Sequence, residues 1–362
     1  MAVAFIALYY WSDISRINVQ APYYEHKIKA AQTVVEAMDV LKDYRLPHLD
    51  LGSKAGGITD PLVFTMLGEK DSPITTDEGR IEDKITALNP NFAAAVVNML
   101  MQTGVSAGDT IAVLLTGSLP GANLAVFAAA KALRLHPVVT TSVGSSWWGA
   151  NSPDFTWLDM ELVLERAGVF KYRSIAASIG GADDHGGLRL SRQGRDMIVE
   201  AIDRNNVTLI QQGNLSSNIQ GRLEVYRRVA PLTDYKAVIN VGGGIASIGH
   251  RLNSHLIPTG VNLRLPVKNY PNLGCIHYFS NAGVPVVMIG DVKEVAEAYD
   301  LPVSQLPLPV VGVGRVFEHE RYNLTIATVA LVLMFIILVI VKYLDRKTYR
   351  YSEQKIDPDT IV

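Results

Sequence analysis

Cysteine is almost absent from this chain of 362 residues, in which Cys275 is the single one. One thiol excludes an intrachain disulfide and a thiolate metal site, although it leaves the redox compartment open. An excess of either charge is also missing, because 33 Lys and Arg face 35 Asp and Glu. Without a basic surplus to draw the chain onto phosphates, we expect no nucleic-acid partner.

Charged residues of any sign are scarce, at 19%, whereas hydrophobic residues reach 48%. This balance excludes a disordered chain and a coiled coil. The length allows one large domain or two smaller ones with a well-buried core.

One segment lacks charge, glycine and proline altogether: LTIATVALVLMFIILVIV at 324–341. At about 1.5 Å per residue this run extends over about 27 Å, which is close to the hydrocarbon thickness of a bilayer. We therefore predict a transmembrane helix at 324–341.

The charges that flank this segment predict its orientation. Basic residues are frequent after it and sparse before it, and they favour the cytoplasmic side of a membrane. We expect 342–362 to be a cytoplasmic basic tail and the bulk of the chain to lie outside, anchored in the cytoplasmic (inner) membrane. The opening MAVAFIALYYW is apolar but too short to span, and no Lys or Arg precedes it as in a signal peptide. We interpret 1–20 as a short apolar segment, either a truncated signal anchor or an interfacial anchor.

Strand and helix patterns alternate over most of the remaining chain. The apolar run at 110–116, the turn GSLPGAN, the helical LAVFAAAKAL and the strand HPVVTTS follow one another within about 35 residues, as in a βαβ unit. The alternation continues to the strand VPVVMIG at 284–290. We therefore expect an α/β domain over 21–315, with a doubly wound, mostly parallel sheet and flanking helices.

Open parallel sheets bind ligands at the carboxyl ends of their strands, and a Gly-rich turn follows the strand at 110–116. Here Thr116, Gly117, Ser118 and Asn123 are candidate ligand-binding residues. We expect Ser118 to cap the next helix and Pro120 to lie in its first turn. The free N–H groups at that helix start can hold an anion, but a tight and well-capped turn explains the same residues.

A second Gly-rich turn places Gly242, Gly243 and Gly244 after an apolar strand. Three glycines let the backbone approach a ligand closely, although their spacing does not match the dinucleotide fingerprint. We take all three as candidates for binding an anionic ligand.

Between these turns, Ser145 and Ser146 follow another strand and precede Trp147 and Trp148. The serines are further candidates, and the two indoles either wall a ligand or fill the core. The loop GGADDHGG at 180–187 has metal-ligand side chains, but neighbours in sequence seldom converge on one ion, and we expect no metal site.

Polar residues at 75–84, among them Arg80, Asp83 and Lys84, precede or open a helix. We interpret them as helix-capping groups. The sequence assigns neither a cofactor nor a catalytic residue.

Several phrases, taken in order, resemble the poly-γ-glutamate system protein family, which is associated with bacterial synthesis and export of this exopolymer. They are SPITTDEG, NPNFAAAVVNML, GDTIAVLLTGSLPGANLAVFAAAKAL, VTTSVGSSWWGANSPDFTWLDME, RSIAASIGG and INVGGGIASIG. The resemblance covers about residues 70–315. It implies an accessory role in making, moving or trimming an anionic polymer, with poly-γ-glutamate or its synthase and export subunits as partners.

Three hypotheses follow. The first is a membrane-anchored accessory protein that binds a polyglutamate-like ligand at its Gly-rich turns. The second is a hydrolase or transferase of the γ-glutamyl polymer, with Ser118 or Ser145 as the nucleophile. The third is a non-catalytic scaffold that holds the synthase subunits together.

Overall fold

Helices and strands alternate along the computed structural model, which describes residues 2–49, 60–187 and 189–353. The α-helices are α1 (Ala2–Ile14), α2 (Tyr24–Arg45), α3 (Pro61–Met66), α4 (Ile81–Ala87), α5 (Phe92–Gln102), α6 (Pro120–Leu133), α7 (Trp157–Arg166), α8 (Arg192–Arg204), α9 (Leu215–Val229), α10 (Ile245–Ile248), α11 (Cys275–Asn281), α12 (Val292–Ala298) and α13 (Leu324–Glu353).

The strands follow the same order along the chain. They are β1 (Ile17–Gln20), β2 (Thr75–Asp77), β3 (Thr110–Thr116), β4 (His136–Ser142), β5 (Ser145–Ser146), β6 (Asn151–Ser152), β7 (Phe155–Thr156), β8 (Ser174–Ser178), β9 (Thr208–Leu209), β10 (Ala237–Val241), β11 (Gly260–Asn262), β12 (Val286–Ile289) and β13 (Glu318–Arg321). Two compact units result, one of Met1–Ala21 with Glu318–Val362 and one of Pro22–Phe317.

The larger unit is built on a seven-stranded sheet in the order β11-β12-β10-β3-β4-β8-β9. Neighbouring strands run parallel except for the antiparallel edge pair β11 and β12. The predicted α/β fold, with a mostly parallel sheet and flanking helices, is confirmed.

Strand β3 shows why the sheet is buried on both faces. Ile111, Val113 and Leu115 belong to one core cluster, whereas Ala112 and Leu114 belong to another. Because successive side chains of a strand point to opposite faces, each cluster covers one side of the sheet. A strand buried on both sides needs apolar residues at every position, and this is the continuous pattern in the sequence.

A close helix contact places the residues beside the end of β3. Gly121 lies in the first turn of α6, where a Cβ would come within 2.5 Å of the Ala87 carbonyl oxygen at the end of α4. Only glycine allows this approach. As a result, α4 and its residue Lys84 are held against the turn that follows β3.

Several short elements differ from the sequence prediction. The Gly- and Pro-containing segment at 46–78 contains α3 and β2, while its residues 50–59 lie outside the described part. Helix α11 begins only at Cys275, because Pro271 and Gly274 precede its first turn. Strand β11 was not predicted, since a three-residue edge strand has little sequence signal.

In the smaller unit, α13 contains one stretch, Leu324–Lys347, that is long and apolar enough to cross a membrane. Only 6% of its most apolar part is buried, and side chains such as Leu331 and Phe335 are exposed. In the same unit β1 pairs antiparallel with β13, and α1 contacts α13.

We expect Leu331→Arg combined with Phe335→Arg to release the protein from membranes. An arginine near the centre of a spanning helix costs about 3 kcal/mol of insertion free energy. Wild-type protein should resist alkaline carbonate extraction, and the double variant should be extracted. Tyr343→Arg, near the end of the apolar stretch, serves as the control, and equal resistance of all three proteins would contradict a spanning helix.

Candidate functional site

A cleft of about 500 Å³ opens in the larger unit where the parallel strands end. Thr116 at the end of β3 and Ser142 at the end of β4 line it, together with Gly242 after β10 and Gly290 after β12. The carboxyl edge of an open parallel sheet is where such folds bind ligands. The cleft is therefore our candidate site.

The structure brings six of the nine sequence-predicted residues together around this cleft. These are Thr116, Ser118, Ser146, Gly242, Gly243 and Gly244. The remaining predicted residues, Gly117, Asn123 and Ser145, do not line it.

Those three residues shape the turn from behind instead. Asn123 is fully buried and donates a hydrogen bond from Nδ2 to the Thr116 carbonyl oxygen at 2.9 Å. Ser145 is also fully buried and donates to the Gly117 carbonyl oxygen at 3.1 Å. A Cβ at Gly117 would come within 2.4 Å of the Val143 carbonyl oxygen, so glycine is needed there for packing.

The expected capping role of Ser118 is wrong. Leu119 is the N-cap residue of α6 and provides no side-chain cap, while Pro120 lies in the first turn as expected. The Ser118 hydroxyl instead accepts a hydrogen bond from the Ser146 N–H at 3.0 Å. Because β5 passes beside this turn, the Ser146 N–H reaches the Ser118 hydroxyl, which therefore does not cap α6.

The three glycines after β10 differ in what a side chain would meet at each position. Gly242 has a φ of 80°, and a Cβ on it would come within 2.7 Å of the Thr116 hydroxyl oxygen. At Gly244 a Cβ would lie 3.0 Å from Thr116 Cγ2. At Gly243 a Cβ would meet nothing within 4 Å, so a side chain there would enter open space in the cleft. No Cβ shields the backbone N–H groups of this turn from a ligand.

Thr116 supplies a free hydroxyl at the floor of the cleft. Its side chain is only 4% exposed, and Oγ1 has no hydrogen-bond partner within the described ranges. A buried hydroxyl without a partner costs about 1–3 kcal/mol. The protein leaves this group available to a ligand in the cleft.

Lys84 carries a buried positive charge into the same cleft. Its Nζ donates hydrogen bonds to the Ser118 carbonyl oxygen at 2.6 Å and to the Ser146 hydroxyl at 2.8 Å. Burial lowers the pKa of Lys84 to about 8, because loss of solvation outweighs the attraction of Asp83. No carboxylate among the described residues forms an ion pair with Lys84, since Asp83 itself pairs with Arg80.

The capping role expected for the polar residues at 75–84 is also wrong. Residues Thr75–Asp77 form β2, and the N-cap of α4, Arg80, makes no side-chain cap. Sequence reasoning named Lys84 but did not assign it to the site, because its partners are 34 and 62 residues away and no local pattern indicates them.

Exposed ion pairs surround the mouth of the cleft. They are Arg80 with Asp83 at 2.8 Å, Arg189 with Glu78 at 3.2 Å and Arg251 with Asp77 at 2.9 Å. Exposed pairs of this kind contribute little to stability. The rim arginines thus already have acid partners, unlike the deeper Lys84.

The loop at 180–187 is held by a buried ion pair. Asp184 and Arg222 are fully buried with a nearest oxygen–nitrogen distance of 3.4 Å, and the Ser178 hydroxyl donates to Asp184 at 2.7 Å. Asp183 accepts a hydrogen bond from the Gly187 N–H at 2.7 Å. The two acidic residues therefore organise the loop that forms one wall of the cleft. Within residues 2–49, 60–187 and 189–353, this loop included, no three His, Cys, Asp or Glu side chains come together as a metal site would require.

The two tryptophans do not fill the core. Trp147 and Trp148 are half-buried and line neither the cleft nor the core. The Trp147 ring lies under the Lys70 ammonium at 5.2 Å, a cation–π contact at the surface.

Fold and site together define an α/β protein with a mostly parallel sheet and a polar cleft at the carboxyl edge, joined to a helix long enough to span a membrane. No family model, curated protein or solved structure matches the chain.

We expect Lys84 to make stability rise with pH between about 8 and its ordinary pKa of 10.5. In this range the unfolded chain keeps the proton that the folded protein has lost, so each pH unit adds up to about 1.4 kcal/mol to the free energy of unfolding. Urea unfolding of the full chain and of Lys84→Met measures the difference. The exposed Lys236→Met should follow the wild type, and an identical pH dependence in Lys84→Met would contradict the lowered pKa.

Proposed function

We propose that this protein is a membrane-anchored accessory protein of poly-γ-glutamate biosynthesis or export, and that its cleft binds carboxylates of the polymer. The observation that carries the binding proposal is a hydroxyl without a hydrogen-bond partner and an ammonium without a counter-ion at the cleft floor. Thr116 has a free buried hydroxyl, and Lys84 has no acid partner among the described residues. The polymer is suggested by the ordered phrases that resemble the poly-γ-glutamate system family.

The chemistry of the donors fits a carboxylate. Poly-γ-glutamate has one carboxylate on each residue, and charge-assisted hydrogen bonds from ammonium, hydroxyl and backbone N–H groups stabilise such anions. At Gly243 a carboxylate can approach the backbone without meeting a side chain. A cleft of about 500 Å³ holds a few residues of such a chain rather than a long stretch.

We also propose that the sheet is doubly wound, with the cleft at its topological switch point. From β3 the next parallel strand, β4, lies toward one edge of the sheet. From β10 the next parallel strand, β12, lies toward the opposite edge. Since β3 and β10 are neighbours, the turns that follow them diverge and leave a crevice between them. Both Gly-rich turns predicted from the sequence border that crevice.

For the cellular arrangement we propose that α13 anchors the protein in the cytoplasmic membrane, with the larger unit outside and the basic tail inside. The support is the apolar run at 324–341, which lies within the span-length stretch of α13, and the excess of basic residues after position 341. The partners in this arrangement are the exported polymer and the subunits that make or export it.

We expect Gly243→Val to weaken binding of poly-γ-glutamate oligomers at least tenfold, or about 1.4 kcal/mol. The added side chain occupies the space through which a carboxylate reaches the turn, and its Cβ has no protein atom within 4 Å. Gly213→Val is the matched control, because Gly213 also has open space and lies outside the cleft. Titration calorimetry on the detergent-solubilised full chain measures the affinities.

Equal affinity of the two variants would reject this cleft as the binding site, and absence of binding by the wild type would reject the ligand. The same variants test the cellular role in a polymer-producing host that lacks the gene. The Gly213→Val gene should restore polymer yield, whereas Gly243→Val should not. Unchanged yield, length and export after deletion would reject the accessory role.

We expect protease added to intact spheroplasts to cut a tag inserted beside the exposed Asp300. Cleavage follows from the predicted orientation, in which the larger unit faces outward. A tag beside Lys342 is the control and should be cut only after lysis. Protection of the Asp300 tag before lysis would reverse the orientation and place the cleft on the side of polymer synthesis.

A further inference from the structure

The hydroxyl of Ser146 and the amine of Lys84 form a buried pair within the cleft. The Ser146 Oγ and the Lys84 Nζ are 2.8 Å apart, and both residues line the cleft. The second hydrogen bond of Lys84, to the Ser118 carbonyl oxygen, fixes the amine in place. A serine hydroxyl becomes a nucleophile when a base lies within hydrogen-bond distance, and lysine serves as that base in some enzymes.

We propose that Ser146 is a nucleophile, that Lys84 is its general base, and that the pair transfers the acyl group of an amide in a carboxylate-bearing chain, such as a γ-glutamyl bond. The choice of substrate rests on the proposed function. The assignment of nucleophile and base rests only on the geometry of the cleft.

The sequence had pointed to Ser118 or Ser145, and the structure favours their neighbour. Ser145 is fully buried, lies outside the cleft and donates its hydroxyl to two carbonyl oxygens. The Ser118 hydroxyl accepts from the Ser146 N–H and, in the described part of the chain, has no hydrogen bond to a basic side chain. Ser146 combines an adjacent amine with access to the cleft.

The protonation state of Lys84 suits this role. Burial lowers its pKa to about 8, so the neutral amine is populated near neutral pH. Asp83 on the same helix favours the charged form but is paired with Arg80. Asp77, on the strand paired with β5, is held by Arg251.

The helices packed against α4 do not restore a counter-ion. They are α6 and α12. Their charged residues, with the cap of α12, are Lys131, Asp291, Lys293, Glu294 and Glu297. In the described part of the chain none of these forms an ion pair with Lys84; Lys131 pairs with Glu36, and Lys293 pairs with Glu297.

The reaction balances with water or an amine as its single co-reactant. Neutral Lys84 takes the Ser146 proton as Oγ attacks the amide carbon, and the resulting ammonium returns that proton to the leaving nitrogen. The C–N bond breaks, and an ester on Ser146 remains. Water attacks the ester, its proton passes through Lys84 to Ser146 Oγ, and a carboxylic acid is released; an amine in place of water gives transfer.

Two neighbours support the attack. The Ser118 hydroxyl accepts from the Ser146 N–H, so its own proton is free to stabilise the developing oxyanion. A Cβ at Gly79 would come within 3.0 Å of the Ser146 Oγ and 2.9 Å of the Trp147 carbonyl oxygen. Glycine at this position therefore keeps the approach to the hydroxyl open.

A fluorophosphonate probe tests the nucleophile directly on the detergent-solubilised full chain. We expect mass spectrometry to find the adduct on Ser146, with the labelling rate reduced at least 100-fold in Ser146→Ala and in Lys84→Met, since a positioned base contributes about 10²–10⁴-fold. The exposed Ser216→Ala and Lys236→Met are matched controls and should label like the wild type. No adduct on the wild type, or an adduct elsewhere, would overturn the proposal.

The pH profile separates a base from a merely structural lysine. The wild-type labelling rate should rise with pH through about 8, because only the neutral amine accepts the proton. Lys84→Arg keeps a positive charge but does not titrate in this range, so it should remain unlabelled. A flat wild-type profile between pH 7 and 9 would overturn the role of Lys84, even if the Lys84 variants failed to fold.

Incubation with poly-γ-glutamate separates this inference from the proposed function. Polymer shortening that requires Ser146 supports both. Polymer binding without any adduct on Ser146 leaves the proposed function standing and overturns the nucleophile. An adduct on Ser146 with neither binding nor shortening overturns the polymer as substrate and the proposed function with it.

Discussion

The two hydrogen bonds donated by the buried Lys84 ammonium hold the candidate site together. They join α4, the turn after β3 and the short strand β5, segments that are far apart in sequence. The Ser146 N–H closes the same ring of contacts by donating to Ser118. A lysine taken out of water needs such acceptors, because an unsolvated ammonium without them is strongly unfavourable. The cleft wall on this side therefore depends on one side chain.

A second buried cation, Arg222, supports the loop that forms another wall of the cleft. Arg222 is ion-paired with Asp184 and bonded to the Ser178 hydroxyl, so its charge is compensated within the protein. Its role is to fix the loop at 180–187 over the ends of β4 and β8. Among the described residues Lys84 has only neutral acceptors, and its charge remains available to a ligand or, once the proton leaves, to chemistry.

Carboxylate binding and nucleophilic attack require different groups at the floor of the cleft. Once Lys84 has lost its proton, a carboxylate at the Gly242–Gly244 turn would still meet backbone donors and the Thr116 hydroxyl, which do not titrate near neutral pH. Nucleophilic attack would need Lys84 in its neutral form, hydrogen-bonded to the Ser146 hydroxyl. The two proposals are therefore compatible in one cleft, with the carboxylate and the reacting amide at separate positions.

The sequence by itself determined the features that depend on neighbouring residues. The βαβ alternation from β3 to β4, the Gly-rich turns after β3 and β10, and the apolar stretch that forms α13 all follow from short-range patterns. The edge strand β11 escaped prediction because it is only three residues long. The helix-cap interpretations of Ser118 and of the residues at 75–84 failed because tertiary partners took those polar groups.

Only the tertiary structure decided which of the predicted residues share a site. Gly117, Asn123 and Ser145 look equivalent to their neighbours in sequence, yet they face the protein rather than the cleft. Lys84 and Ser146 lie 62 residues apart and meet because Gly121 lets α6 press against α4. Local propensity determines helices, strands and turns, whereas the direction of a polar side chain is set by whichever partner the packing brings within hydrogen-bond distance.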